Sequence, residues 1–360
     1  MSNAASGQGT GSWLRVALCI ACSACSGSQA PASSADAGSG ANAGGLAGNT
    51  AAAGNGSASN GLGSAGTNAN GDDAGSVANR GDGAVANNVD GGSGTVSHGS
   101  GPGDWKAGDY PADAHAQTYL EIKDVPGQMG NVRQYKVHVP AGYDAQAPMP
   151  LVFCFHGLSQ NAVMFCIDGA GMLAKSDKEG FILVMPNGFQ NSWNAGTCCG
   201  GAATSKLDDV ALVHAIFDEV KSHLNVALSR VYALGLSNGA YMSYRLACQA
   251  SDIVVAVAPG AGAIGMDDIG GGTSATGDFT ECKPTQKVSV LDMHGTADGL
   301  IPYSTQKPTL ERIARQDGCS LTTHAATQPK SGGDTTCVSY DGCPSGVDIT
   351  GCSVMNGGHV

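Results

Sequence analysis

The sequence predicts an α/β fold, with a mostly parallel central sheet flanked by helices and antiparallel strands at its N-terminal edge. Three observations carry this. Continuous apolar runs alternate with helical segments, two apolar–polar alternating runs precede them, and the residues able to do chemistry fall where apolar runs end. Parallel strands are covered on both faces and so read as unbroken apolar runs. Ligands bind at the carboxyl ends of such strands.

The elements follow in chain order. Tyr119-Leu120-Glu121-Ile122-Lys123 and Tyr135-Lys136-Val137-His138-Val139 alternate with period two, the pattern of antiparallel edge strands with one polar face. Leu151–Phe155, Phe181–Met185, Val231–Leu234, Ile253–Val257 and Val288–Leu291 are continuously apolar and read as parallel strands. The clearest helix spans Leu207–Leu224, with Leu207, Val210, Ala211, Phe217, Val220 and Leu224 as its apolar stripe. Ser205 and Asp208 form a capping pair, and Asp208 and Asp209 suit the positive end of the helix dipole. A second helix follows Gly239 through Ala247, and Ser353-Val354-Met355 reads as a last short strand.

Composition divides the 360 residues near Trp105. Residues 1–25 read as an export signal: Arg15 is the lone positive charge, and Val16–Ala21 is a brief apolar core followed by small residues. This segment resembles a bacterial lipoprotein signal, with Cys22 or Cys25 as the acylated residue and membrane attachment as the consequence. The plainer alternative is a cleaved signal peptide. Residues 26–110 are rich in Gly, Ala, Ser and Asn, and Arg80 is the only Lys or Arg between Ser26 and Asp104. Such a segment buries too little apolar surface to offset its chain entropy and reads as a disordered, flexible linker. Residues 115–360 remain as one domain. A net charge of −12 without a Lys/Arg cluster argues against nucleic acid as a partner. No apolar run after residue 26 approaches the roughly 20 residues of a membrane span.

Ten cysteines lie beyond the signal, and export makes disulfides their expected use. Cys198 and Cys199 are expected to bond different partners, because a ring closed between neighbours is strained. Cys154, inside a strand, reads as a buried thiol. No metal or organic cofactor is called for.

The chain contains one G-x-S-x-G, Gly235-Leu236-Ser237-Asn238-Gly239, set between an apolar run and a helix. That context is a sharp strand-to-helix turn, which exposes a serine hydroxyl as a nucleophile. Asp298, in the turn of His294-Gly295-Thr296-Ala297-Asp298 after an apolar run, is the candidate acid, with Asp292 the rival inside the strand. His359, in the Gly-rich loop Asn356-Gly357-Gly358-His359, is the candidate base ahead of His324. His294 is expected to fix the acid turn by hydrogen bonding. The backbone N–H groups of Leu158, after His156-Gly157, and of Asn238 are the candidate oxyanion donors. Trp193, Asn194, Tyr241 and Tyr303 lie near strand ends and are candidates to contact substrate.

Together with Trp193-Asn194-Ala195-Gly196-Thr197-Cys198-Cys199-Gly200 and Asp208-Asp209-Val210, these motifs resemble the secreted esterases that include polyhydroxybutyrate depolymerases and feruloyl or acetylxylan esterases. The similarity spans about residues 115–360. It implies an α/β-hydrolase fold, a Ser237–Asp298–His359 triad, and a structural role for Cys198-Cys199 near the site. Leu158 departs from the depolymerases, which often carry Cys there. Relatives continue past the histidine through an aromatic-containing segment and a final helix, so the sequence reads as truncated one residue after His359.

The expected activity is that of a secreted or surface-tethered serine ester hydrolase. Its substrates would be feruloyl or acetyl esters of plant polysaccharide, or polyhydroxyalkanoate-type esters. The competing classes are a serine peptidase on the same fold and a non-catalytic, surface-tethered binding protein. Amide substrates separate the first from an esterase, and fluorophosphonate labelling of Ser237 separates the second.

Overall fold

The computed structural model describes residues 119–359, apart from 197, 265–281, 283 and 328–332. The export signal, the linker, and Cys22 and Cys25 lie outside the described residues.

Among the described residues ten strands form one sheet: β1 Leu120–Ile122, β2 Arg133–His138, β3 Met149–Phe155, β4 Ile182–Pro186, β5 Val226–Leu236, β6 Ala256–Gly260, β7 Ser289–Gly295, β8 Thr323–Ala325, β9 Thr335–Tyr340 and β10 Ile349–Val354. Their spatial order is β1-β2-β4-β3-β5-β6-β7-β10-β9-β8. The six strands from β4 to β10 pair in parallel. Each continuous apolar run contributes to this parallel block, though of Ile253–Val257 only Ala256 and Val257 lie in a strand. Antiparallel strands flank it on both sides: β1 and β2 at one edge, and β9 and β8 at the other. The second antiparallel edge was not expected from the sequence. β8 is exposed along its length and therefore carries no apolar pattern to reveal it.

Helix α1 is Met172–Glu179, α2 Gly201–Thr204, α3 Asp209–His223, α4 Asn238–Gln249 and α5 Gln306–Asp317. Successive residues of a strand face opposite ways, so each central strand feeds two cores. Leu151, Phe153 and Phe155 of β3 pack with buried residues of α3, α4 and α5, including Leu212, Met242 and Leu310. Val152 and Cys154 face the opposite layer, with Met172 and, from a π-helical turn at Val163–Gly169, Phe165 and Cys166.

Three local expectations need correction. Helix α3 is capped by Asp208 alone, whose Oδ1 accepts the Ala211 N–H at 3.0 Å, while Ser205 closes the preceding α2. The cysteines pair as 154–166, 198–199, 248–282, 319–343 and 337–352. Cys154 is thus bonded rather than a free buried thiol, because Cys166 on the π-helical turn packs directly over β3. Cys198 and Cys199 bond each other, since the other eight are paired with one another elsewhere in the fold.

Candidate active site

Ser237 sits between β5 and α4 with φ 55° and ψ −120°, a conformation that L-residues with side chains rarely adopt. The flanking glycines make it possible. A Cβ on Gly235 would lie 2.3 Å from the Gly239 oxygen, and one on Gly239 would lie 2.1 Å from the Phe155 oxygen. Strand, turn and helix are therefore in backbone contact, and neither position has room for a methyl group. The Ser237 N–H donates to Gly260 O at 2.9 Å, tying the turn to the end of β6.

The candidate acid Asp298 and the candidate base His359 come together past the ends of adjacent strands. Gly295 ends β7 in close contact with the turn after β10; a Cβ there would lie 2.3 Å from the oxygens of both Gly357 and Gly358. The Ala297 N–H donates to Gly357 O at 2.9 Å, and the Asn356 N–H donates to Thr296 Oγ1 at 2.8 Å. This stitching brings His359 Nδ1 to 2.9 Å from Asp298 Oδ2. Asp298 Oδ1 accepts the N–H groups of Leu300 and Ile301 at 2.8 and 2.9 Å. Burial alone would raise the Asp298 carboxyl, but the bonds from His359, Ile301 and Leu300 outweigh it and hold the carboxyl below its ordinary value. Nδ1 of His359 is committed to the carboxylate, so Nε2 is the nitrogen left to act as base. Ser237 Oγ and the His359 ring are not hydrogen-bonded to each other in this structure. Such bonds are commonly long without substrate and tighten when it is bound.

His294 does fix the acid turn. Its Nε2 lies 2.9 Å from Ile301 O and 3.3 Å from Asp298 Oδ2. Asp292 is buried one layer below, where its carboxylate accepts from the Tyr244 hydroxyl and the Gln306 amide, each at 2.6 Å. His324 lies on the exposed edge strand β8, paired with Asp341 at 2.6 Å.

The segment after β3 runs beside the serine: a Cβ on Gly157 would lie 3.5 Å from Ser237 Cβ. The N–H groups of Leu158 and Asn238 have no backbone acceptor among the described residues. Asn238 opens α4, where helical N–H groups lack intrahelical partners. Gly200, next to the Cys198–Cys199 disulfide, abuts this segment, since a Cβ there would lie 2.9 Å from Leu158 Cδ1 and 2.5 Å from Ser192 Cβ. The disulfide thus forms part of the loop that backs Leu158.

The aromatic candidates divide. Trp193 is fully buried, edge-on to Phe155 with ring centroids 5.1 Å apart, so its ring has no surface to offer a substrate. Tyr241 is also buried, with its phenol pushed up to about 12 by burial and then by the nearby Asp298 charge. Tyr303 is half-buried and shares a 2.6 Å hydrogen bond with Ser353 Oγ.

Asp209 stands in the first turn of α3, as expected for the positive end of the helix dipole, but it does more than that. It is fully buried and paired with the equally buried Arg133 at 2.7 Å. Its other oxygen accepts the Asn194 N–H at 2.7 Å, while Arg133 Nη2 donates to Asn187 O at 3.1 Å. The pair therefore anchors both ends of the loop that carries Trp193. Removing one partner of a buried pair leaves an uncompensated charge, so Asp209→Ala is expected to cost about 3–5 kcal/mol in denaturant unfolding. A loss within about 1 kcal/mol would contradict the anchoring role. Sequence reasoning missed this pair because Arg133 lies 76 residues from Asp209 and no local pattern links them. Among the described residues no three of His, Cys, Asp and Glu gather as a metal-ligand set.

Comparison with known proteins gives one family match, to the esterase PHB depolymerase family over residues 133–292. Feruloyl esterase B of Piromyces equi is 27% identical over 247 residues, 63% of this chain and 42% of that protein. The chain thus spans less than half of that relative's length. Feruloyl esterase D of Neurospora crassa is 28% identical over 240 residues, covering 64% of this chain and 74% of that one. An acetyl xylan esterase from Aspergillus awamori has a similar structure, with a TM-score of 0.48 at 14% identity over 68% of this chain and 94% of that chain.

Proposed function

We infer that this chain, whose residues 133–292 match the esterase PHB depolymerase family, is a serine carboxylic-ester hydrolase working through an acyl-enzyme on Ser237. The observation that carries this reading is the Asp298–His359 hydrogen bond, 2.9 Å long, at strand ends of the sheet whose central turn presents Ser237. Chain order is serine, acid, histidine, as in α/β-hydrolases.

His359 Nε2 takes the proton of Ser237 Oγ as the oxygen attacks the ester carbonyl. The oxyanion rests on the N–H groups of Leu158 and Asn238, and His359 returns the proton to the leaving alcohol. Water, deprotonated by the same nitrogen, then releases the acid. Asp298 holds the imidazole in its working tautomer and stabilises its cation. Each oxyanion donor is worth roughly 3–4 kcal/mol of transition-state stabilisation.

The feruloyl esterase names of two relatives favour feruloyl or acetyl esters of plant polysaccharide over polyester. Five disulfides among the described residues support an oxidising, extracellular setting. In the same reading, residues 1–25 direct export, Cys22 or Cys25 carries a lipid, and residues 26–110 tether the domain to the surface. A comparison of methyl ferulate, acetylated xylan and polyhydroxybutyrate tests the substrate class, and the first two are expected to turn over faster. Turnover of none of the three, with no fluorophosphonate label on Ser237, would end the esterase reading.

A further inference from the structure

Three fully buried side chains, His156, Trp193 and Asn238, lie just beneath the two expected oxyanion donors. None has a part in the chemistry so far. The Gly188 N–H donates to His156 Nε2 at 2.9 Å, so that nitrogen carries the lone pair and Nδ1 carries the proton. The Nδ1–H in turn donates to Gly157 O at 2.8 Å. That oxygen belongs to the peptide whose N–H is that of Leu158. In a planar trans peptide the C=O and N–H point in opposite directions, so holding the oxygen aims the N–H. The imidazole is pushed down to about 4, chiefly by burial, and is therefore neutral at neutral pH, as this pair of bonds requires.

Trp193 links the preceding His156–Gly157 peptide to the other donor. Its indole N–H donates to His156 O at 2.9 Å. Its backbone N–H donates to Asn238 Oδ1 at 2.7 Å, and Asn238 Nδ2 donates back to Trp193 O at 3.1 Å. One residue is thus fastened through its ring to the Leu158 side of the site and through its backbone to the Asn238 side.

We propose that His156, Trp193 and the side chain of Asn238 form one buried positioning unit that sets the separation and aim of the oxyanion-binding N–H groups of Leu158 and Asn238. The proposal rests on the esterase reading above. All three act through the two backbone donors and touch no substrate. The Trp193 ring, expected from the sequence to contact substrate, instead braces the groups that do.

The test uses Trp193→Phe, which keeps an aromatic ring and loses the indole N–H, and Asn238→Ala, which keeps the backbone donor and loses the clamp. Each is assayed on p-nitrophenyl acetate and for inhibition by a trifluoromethyl ketone, whose adduct with a serine carries an oxyanion. Each variant is expected to lose about 10- to 100-fold in kcat with KM within about twofold, since small misplacements of catalytic groups cost this much. Ketone affinity should fall by a similar factor. Because the two act as one unit, the double variant should lose about as much as the weaker single variant, not the product of the two losses. Unchanged kcat and ketone affinity in a variant that melts cooperatively would overturn the proposal, as would multiplicative losses. If one variant does not fold, the other carries the test alone. A wild-type protein without esterase activity would remove the reading beneath it, a result distinct from active wild type with unaffected variants.

Discussion

Ser237→Ala is expected to lower kcat/KM on p-nitrophenyl acetate by at least about 10⁴-fold and to abolish fluorophosphonate labelling. Loss of a triad nucleophile leaves only what binding and the oxyanion donors supply. The substitution removes one hydroxyl that has no hydrogen-bond partner among the described residues, so the fold has little to lose. The turn itself is set by Gly235 and Gly239, whose missing Cβ atoms leave room for the backbone oxygens of Gly239 and Phe155. The φ of 55° at Ser237 is equally costly for alanine and serine. Melting temperature should therefore stay close to wild type while activity vanishes. Hydrolysis at the wild-type rate in the alanine variant would move the nucleophile elsewhere.

Asp298→Asn should cost about 10⁴-fold in kcat with the fold intact, the size of effect seen when a triad acid becomes an amide. The geometry gives the reason. Asp298 Oδ1 is occupied by the N–H groups of Leu300 and Ile301, so the amide oxygen of Asn would take that place. Its NH₂ would then face His359 Nδ1, now 2.9 Å from a carboxylate oxygen. A donor there forces the proton of the ring onto Nε2, the nitrogen that must accept from Ser237. The stability consequence has a definite sign. The Asp298 carboxyl is held below its ordinary value, so the anion stabilises the fold above the unfolded-state value, and that contribution is lost as pH falls through the folded one. The wild type's advantage over the Asn variant in thermal melts should shrink on acidification. A variant retaining more than about a tenth of wild-type kcat would show that Asp298 does not orient the base.

Much of the parallel sheet was legible because its strands are buried on both faces and so appear as unbroken apolar runs. Phe153 and Val152 face different cores, yet both had to be apolar. The edge strands β8 and β9 lacked such a signal, because exposed residues such as His324 carry no burial constraint. Ser237 stood out because its setting is local: strand, two glycines and helix occupy consecutive residues. Asp298 and His359 could be chosen by chain order and turn context, since each ends an apolar run. The buried pair Arg133–Asp209 could not be found, and Asp209 looked like an ordinary helix-start carboxylate.

The sequence by itself determined which strands are central, where the sharp strand-to-helix turn at Ser237 lies and which residues end the apolar runs near it. All of these depend on neighbours within a few positions. Only the tertiary structure decided that Trp193 lies buried beneath two backbone N–H groups, that Cys198 closes on Cys199, and that Asp209 and Arg133 anchor the loop that carries Trp193. Those outcomes depend on which segments meet across the sheet. A tryptophan, a cysteine pair or an aspartate has the same local preferences in core and on surface, and burial with its obligatory pairing of polar groups is settled only when distant segments pack.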